Sequence, residues 1–385
     1  MIHIGKPYLG EQEGRPALRA QVQIREKQEE IWFSVDPEYG EYLTDDRLDA
    51  FVVSLLPMAM RQGLDICCQA PITRRLHYQL TEYLIPGLAA GTPVFHSIAL
   101  HAPVTDAVLP RGNGVGTGWS GGVDSMYTLM SHLQREEPQF RLTHLLIANI
   151  GTLESEDNRW MLAHMAEEAR GGIAGELGLP VITLDSNVQL VLQETYLSVA
   201  GFRLPAAVLA LQKLFRVFLH SGGYSFGQFS IRPENSARYE LLLLSCFETD
   251  NTVFYSTGSQ VSRTGKLRAL SEFPPAWKYL HPCIYATNRK NCGRCAKCAR
   301  TQGALDILGT LDRFEAVFDL EDYRTRRDLY QATFLAQRVN PFYDEILCLM
   351  EEKGMSPSPE VQRIARILRA AEKAEQNRKK GENTR

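Results

Sequence analysis

The sequence predicts an α/β protein: a parallel sheet with helices on both faces, joined to a small N-terminal α+β domain, a cysteine module and a helical C-terminus. Three observations carry this expectation. From Trp119 onward short apolar runs alternate with stretches of helical periodicity, the pattern of βα units. A glycine turn, Ser120-Gly121-Gly122-Val123-Asp124-Ser125, stands where a strand would pass into a helix. Four of the eight cysteines fall between positions 283 and 298.

The elements follow in order. Alternating stretches at Ala17–Ile24 and Glu30–Val35 read as strands. Asp46–Leu56 reads as a helix with Asp45 or Asp46 at its N-cap, ended or kinked by Pro57. A strand at Leu64–Cys68, a helix at Ile72–Leu84 stopped by Pro86-Gly87, and a strand at Pro93–Leu100 complete the first region. Gly112, Gly114, Gly116 and Gly118 mark a linker entering an unusual strand; they do not form the G-x-G-x-x-G of a dinucleotide loop. Then come a helix at Asp124–Arg135, a buried strand at Leu142–Asn149, a long helix at Glu156–Leu177 and a strand at Pro180–Leu184. A helix at Leu204–His220, a strand at Tyr224–Ser230, a helix at Glu234–Phe247, a strand at Thr252–Ser256 and a helix at Gly265–Ser271 close the βα region. The expected divisions are 1–110, 111–280, 281–305 for the cysteine module, 306–368 for C-terminal helices, and a polar tail at 369–385.

With 385 residues, two or three domains are expected. The chain is 44% hydrophobic and 23% charged, has no run of 18 apolar residues, and its start lacks the apolar segment of a secretory signal. A cytoplasmic protein without membrane association is expected. The net charge of −3 gives little support for a tRNA partner, although it leaves room for a local basic groove.

The turn at Ser120–Ser125 offers backbone N–H groups at a helix N-terminus, where the dipole favours an anion. Glycines 121 and 122 let phosphate approach, and Ser120 and Ser125 can donate hydroxyls. Asp124 makes sense as a Mg2+ ligand or as an acceptor that orders the loop. The G-x-x-x-x-G-K-[ST] arrangement is missing. The spacing Cys283-x8-Cys292-x2-Cys295-x2-Cys298 supplies four thiolates for a closed structural zinc site, and an iron–sulfur cluster would use the same number. His281 is near but reads as a bystander. The vicinal Cys67-Cys68 pair reads as core, and His132, His144 and His164 as structural.

The hexapeptide Ser120–Ser125 resembles the signature loop of the ATP pyrophosphatase (PP-loop) family, which implies an adenine nucleotide α-hydrolase-like fold and a substrate activated with ATP. Together with the cysteine spacing and Cys298-Ala299-Arg300, the region 112–305 resembles 7-cyano-7-deazaguanine synthases (QueC), as a divergent branch with added residues on both sides. The resemblance implies adenylation of a carboxylate, 7-carboxy-7-deazaguanine or a related small-molecule or protein-linked group. Pyrophosphate leaves first, then AMP as ammonia or an amine attacks, giving an amide, nitrile or conjugate. Such branches occur in antiphage defence. ATP, Mg2+ and Zn2+ are the implied cofactors.

Cations must neutralise the phosphoryl oxygens in such chemistry. Arg263 and Lys266 are the candidates, because they open a helix after a strand whose end should lie on the edge of the sheet that carries the loop. Ile147–Asn149 would flank adenine. Glu234 reads as a helix-start acid, and Arg300 as a carboxylate ligand or a tie to the metal module. Alternatives are RNA thiolation or lysidine formation, which an exposed Cys246 would favour, and a non-catalytic nucleotide-binding scaffold. The N-terminal region is a candidate surface for a protein partner or a homodimer.

Overall fold

The computed structural model describes residues 1–110, 112–133, 137–151, 159–283 and 290–382. The predicted helix boundaries at Arg135 and Glu156, Arg111 of the linker and the last three residues of the tail lie outside them. The described residues form two compact units. The first comprises 1–120 and 128–260, the second 121–127 and 261–385.

The first unit is built on a mixed sheet. Its strands are β1 (Ile2–Ile4), β2 (Tyr8–Gln12), β3 (Arg15–Ile24), β4 (Lys27–Val35), β5 (Ile66–Cys68), β6 (Leu100–His101), β7 (Gly114–Gly118), β8 (His144–Asn149), β9 (Val181–Ser186), β10 (Phe215–Ser221) and β11 (Val253–Thr257). Their order is β11-β10-β7-β8-β9-β4-β3-β1-β5-β6, with β2 paired to β3. The five strands from β11 to β9 are mutually parallel, with Gly118 opposite Leu146 and Thr117 opposite Leu219. The sheet turns antiparallel where Asp185 of β9 faces Ser34 of β4. The N-terminal segment thus continues the same sheet and shares a unit with the βα region, instead of forming a body of its own.

The glycines of β7 have a packing cause. A Cβ at Gly116 would meet the Phe215 ring at 2.4 Å, so the aromatic side chain of β10 fills the space a side chain would take. Helices flank the sheet. The helix α1 (Asp49–Gln62) lies against α2 (Tyr196–Ala210), and Arg159–Gly171 packs on β8 and β9. Phe51, Phe202, Phe215, Phe218 and Phe247 are among the side chains buried between these layers.

Several expectations change. The helix α1 begins at Asp49 after Leu48 and runs through Pro57 to Gln62. A proline inside a helix costs about 3 kcal/mol, and the burial of nearly every α1 side chain outweighs it. Likewise the chain does not stop at Pro86-Gly87: the helix Arg74–Gln79 passes through a π turn at Leu80–Leu84 straight into Ile85–Gly91, so Pro86 lies inside a continuous helical stretch just past the wider turn. The span Leu204–His220 is not one helix. The helix ends at Ala210, and Phe215–Ser221 is a central strand. A strand buried on both faces is as continuously apolar as a buried helix, so periodicity could not separate them. The expected strand at Tyr224–Ser230 is instead a loop with a short 3-10 turn at Phe226–Gln228.

The second unit is helical. It contains α3 (Arg263–Leu270), α4 (Ala296–Ile307), α5 (Leu320–Ala336), α6 (Pro341–Glu352) and α7 (Pro359–Glu382). The helix α7 runs well into the expected polar tail. Its Val361 and Ala365 bury against Ala332 of α5. No described helix is long and apolar enough to cross a membrane.

Candidate functional site

The glycine turn leaves β7 and enters the helix Val123–His132. Gly121 has φ +69°, a region that disfavours a side chain, and a Cβ there would stand 3.2 Å from His281 Cβ. The backbone N–H of His281 donates to Gly121 O at 2.7 Å, tying the turn to the chain just before Cys283. Ser125 Oγ donates to Gly122 O at 3.1 Å and is turned into its own helix. Val123 is fully buried, whereas Ser120 is exposed and belongs to the first unit.

Asp124, Arg263 and Lys266 come together within the second unit. Lys266 Nζ donates to Asp124 Oδ1 and Arg263 Nη1 to Oδ2, each at 2.8 Å. The reason is local. Arg263 and Lys266 are three residues apart on α3, so they share a face. The start of that helix is secured twice: Ser262 Oγ accepts from Gly265 N, and Glu345 Oε2 of α6 accepts from Arg263 N at 2.7 Å. A carboxylate is favoured at that helix end, which offsets the cationic first turn. Burial opposes the charge on Asp124, but Arg263 and Lys266 outweigh it and hold its carboxyl below the usual range. Both carboxylate oxygens of Asp124 are thus each engaged by one cation.

More cations gather here. The guanidiniums of Arg300 and Arg263 lie over the Phe342 ring, 4.2 and 5.6 Å from its centroid. Lys297 is pulled below the ordinary lysine range by enclosure of its ammonium and then by Arg263 and Arg300, although part of the residue stays exposed. Phe342, Glu345 and Lys297 were not legible as site residues; nothing in their spacing links them to the loop.

The cysteine module lies in the same unit. The four Sγ atoms of Cys283, Cys292, Cys295 and Cys298 all fall within 4.8 Å of one another, and those of Cys292 and Cys298 are 3.9 Å apart. A tetrahedral ion with Zn–S bonds of about 2.3 Å separates its sulfurs by about 3.8 Å, so the group can hold one zinc-like ion. The N–H groups of Cys295 and Cys298 point at Cys292 Sγ and Cys295 Sγ. Asn291 Nδ2 donates to Leu280 O and Val317 O, while Gln302 and Tyr330 both donate to Gly293 O. These bonds clamp the ligand loop on its helices, as outer partners of a metal site do. Burial and the neighbouring thiols push Cys298 far up; a bound cation reverses that balance and makes thiolates the stable form.

Other candidates fall elsewhere. Ile147–Asn149 end β8, and Asn149 Nδ2 donates to Asp185 Oδ1 at 2.8 Å. Glu234 is exposed in a turn and does not start a helix. Cys246 is buried, and burial raises its thiol pKa, a poor setting for a persulfide-forming nucleophile. Cys68 is pushed up to about 12 by burial, with Cys67 beside it. No protein family, curated protein or solved structure matches the chain.

Proposed function

We propose that the chain is an ATP-dependent enzyme of the PP-loop type that adenylates a carboxylate and passes it to ammonia or an amine, as QueC-like synthases do. The observation that supports this most is the junction of Asp124 with Arg263 and Lys266, 139 and 142 residues further along the chain. A glycine turn at a helix N-terminus, with Arg263, Lys266, Arg300 and Lys297 gathered about its first helical turn, is an anion site in chemistry and charge.

In this reading the turn amides take the phosphates of ATP. Asp124 keeps Arg263 and Lys266 poised so that little reorganisation is needed when charge builds on the α-phosphoryl group. Mg2+ bound to the nucleotide would supply further neutralisation of its phosphates beside Arg263 and Lys266. The attacking carboxylate oxygen forms the acyl–adenylate as pyrophosphate leaves, and the amine then forms the C–N bond as AMP leaves. A metal held by the four cysteines would steady the chain before Cys283, whose His281 N–H donates to Gly121 O.

The test is turnover with Mg-ATP, 7-carboxy-7-deazaguanine and ammonium, read by mass spectrometry. AMP with amide or nitrile is the expected result. AMP without a modified base moves the substrate to another carboxylate. No AMP from folded, zinc-loaded protein overturns the reading.

A further inference from the structure

The first unit holds a cavity that the adenylation chemistry does not use. It measures about 270 Å³ and lies between the seam of β4 with β9 and the helix Arg159–Gly171. Its floor follows from register. Asp185 of β9 stands opposite Ser34 of β4, and in a pleated sheet every second side chain returns to the same face. Asp185 and Thr183 therefore share a face, about 7 Å apart. Ser34 stands beside the first, and Asp36, just past β4, is bonded to the second. All four line the cavity. The helix supplies the facing wall, where Leu162 and Ala166 are buried one turn apart.

One end of the floor is cationic. Asp36 accepts from Thr183 N and Thr183 Oγ1 at 2.7 and 2.6 Å. It also draws in two arginines, Arg15 Nη2 on Oδ1 and Arg170 Nη2 on Oδ2, each at 3.2 Å. Arg15 is fixed further on Val35 O and Thr183 O, and Arg170 on Val181 O. These bonds use Nε and Nη2 of Arg15 and Nη2 of Arg170. The Nη1 groups of both make no hydrogen bond among the described residues. Two guanidiniums against one carboxylate leave this end with a surplus positive charge.

The other end is acidic. Asp185 is buried, and its Oδ1 accepts from Asn149 Nδ2 and Ser186 N, two neutral donors. Ser34 is 1% exposed, and its hydroxyl makes no hydrogen bond among the described residues. A buried hydroxyl ordinarily has a partner. Glu13 and Glu167 are exposed at the mouth, so four acids line the cavity against two arginines. A plain anion would meet repulsion from Asp185 and the mouth. A plain cation would meet repulsion from Arg15 and Arg170. A ligand that carries both charges suits both ends, and the volume falls just below the drug-sized range of about 300–1,000 Å³, which suits a small metabolite.

We propose that this cavity binds a free aliphatic α-amino acid. Its carboxylate lies on the Nη1 groups of Arg15 and Arg170, its ammonium between Asp185 and Ser34, and its side chain against Leu162 and Ala166. The site shares no residue with the glycine turn, Arg263 or Lys266, and it stands whether or not the chain adenylates a carboxylate. Arg15 ties the start of β3 to both β4 and β9, so the bound carboxylate braces the seam where the N-terminal strands join the parallel ones.

The test is calorimetric titration of the full, zinc-loaded chain with three compounds: L-leucine, 3-methylbutylamine, which lacks the carboxylate, and 4-methylpentanoate, which lacks the ammonium. Leucine is expected to bind, and each truncated compound to bind about tenfold more weakly or worse. Arg170→Gln should weaken leucine by a similar factor and narrow its gap to the amine. Ser34→Ala, which keeps the packing, should narrow the gap between leucine and 4-methylpentanoate. Thermal melts confirm that each variant is folded. Methyl spectra of alanine-labelled protein locate the ligand, because the Ala163 and Ala166 signals should move when leucine is added. The proposal is overturned if leucine at millimolar concentration does not bind, if either truncated compound binds as tightly as leucine, or if Arg170→Gln leaves leucine affinity unchanged. Leucine binding that leaves the Ala163 and Ala166 signals in place overturns it as well.

Discussion

Two carboxylates in this molecule each stand between two cations, and they end up in opposite states. Asp124 is closed: Lys266 and Arg263 each donate to one of its oxygens at 2.8 Å, and its carboxyl is held low. Glu194 is open: Arg61 stops at 3.6 Å, neither oxygen has a hydrogen bond among the described residues, and its carboxyl is raised. Charge type and number are alike, so composition does not decide the outcome. Distance does. A buried charge is tolerated when direct hydrogen bonds replace its hydration, and is costly when they do not. The closed cluster is a finished electrostatic clamp, and the open one lacks, among the described residues, the hydrogen bonds that would close it.

The largest way to break the comparison is to load the four-cysteine group with zinc and then chelate it. Chelation should unfold the cysteine module and loosen the Asp124 clamp that its helices support, while the Glu194 cluster in the first unit persists. Hydrogen exchange reads both regions, and unchanged protection of α4 after chelation would mean that the metal is not structural. Next is Asp124→Ala, which leaves Lys266 and Arg263 buried and facing one another; a loss of about 3 kcal/mol in urea unfolding of the zinc-loaded protein is expected. Lys266→Ala should lower AMP formation by about a hundredfold with ATP binding retained. An equal fall in ATP affinity would make the lysine a general anchor only.

The pH dependence should differ in sign between the two clusters. The depressed Asp124 carboxyl contributes stability that is present above the ordinary aspartate range and drains away as pH falls through its own lower value. The raised Glu194 carboxyl does the opposite: folding favours its neutral form, so its contribution is full below the ordinary glutamate range and is lost as pH rises through the raised value. Stability curves of Asp124→Asn and Glu194→Gln against their parent should therefore diverge in opposite directions across the acid limb. The smallest effect is the stability of Glu194→Gln at neutral pH, expected within about 1 kcal/mol of the parent, because it removes a charge that no hydrogen bond compensates. A loss as large as that of Asp124→Ala would show that Glu194 is paired after all.

Legibility in sequence followed the range of the interactions. The turn at Ser120–Ser125 and the four cysteines were readable because their chemistry lies within a few residues. Arg263 and Lys266 were readable as candidates because they open a helix after a strand; that they share one face of it came from the structure. The strand Phe215–Ser221 was not, because burial on both faces erases the alternation that marks a strand. Pro57 and Pro86 misled for a related reason: each was weighed as a local breaker, whereas one was overruled by packing and the other follows a π turn that the helix passes through.

What the amino-acid order determined by itself is a set of local devices: a glycine turn, a thiolate quartet and two cations one helical turn apart. Tertiary structure decided which of them meet. It brought Asp124 to Arg263 and Lys266 across 139 and 142 residues, joined the first hundred residues to the same sheet as the βα strands, and set Arg203 beneath the end of β8 beside a glutamate it does not touch through a hydrogen bond. The physical reason is that periodicity and capping act over one or two turns of chain. The burial that makes a charge pair strong or leaves it wanting is a property of everything packed around it.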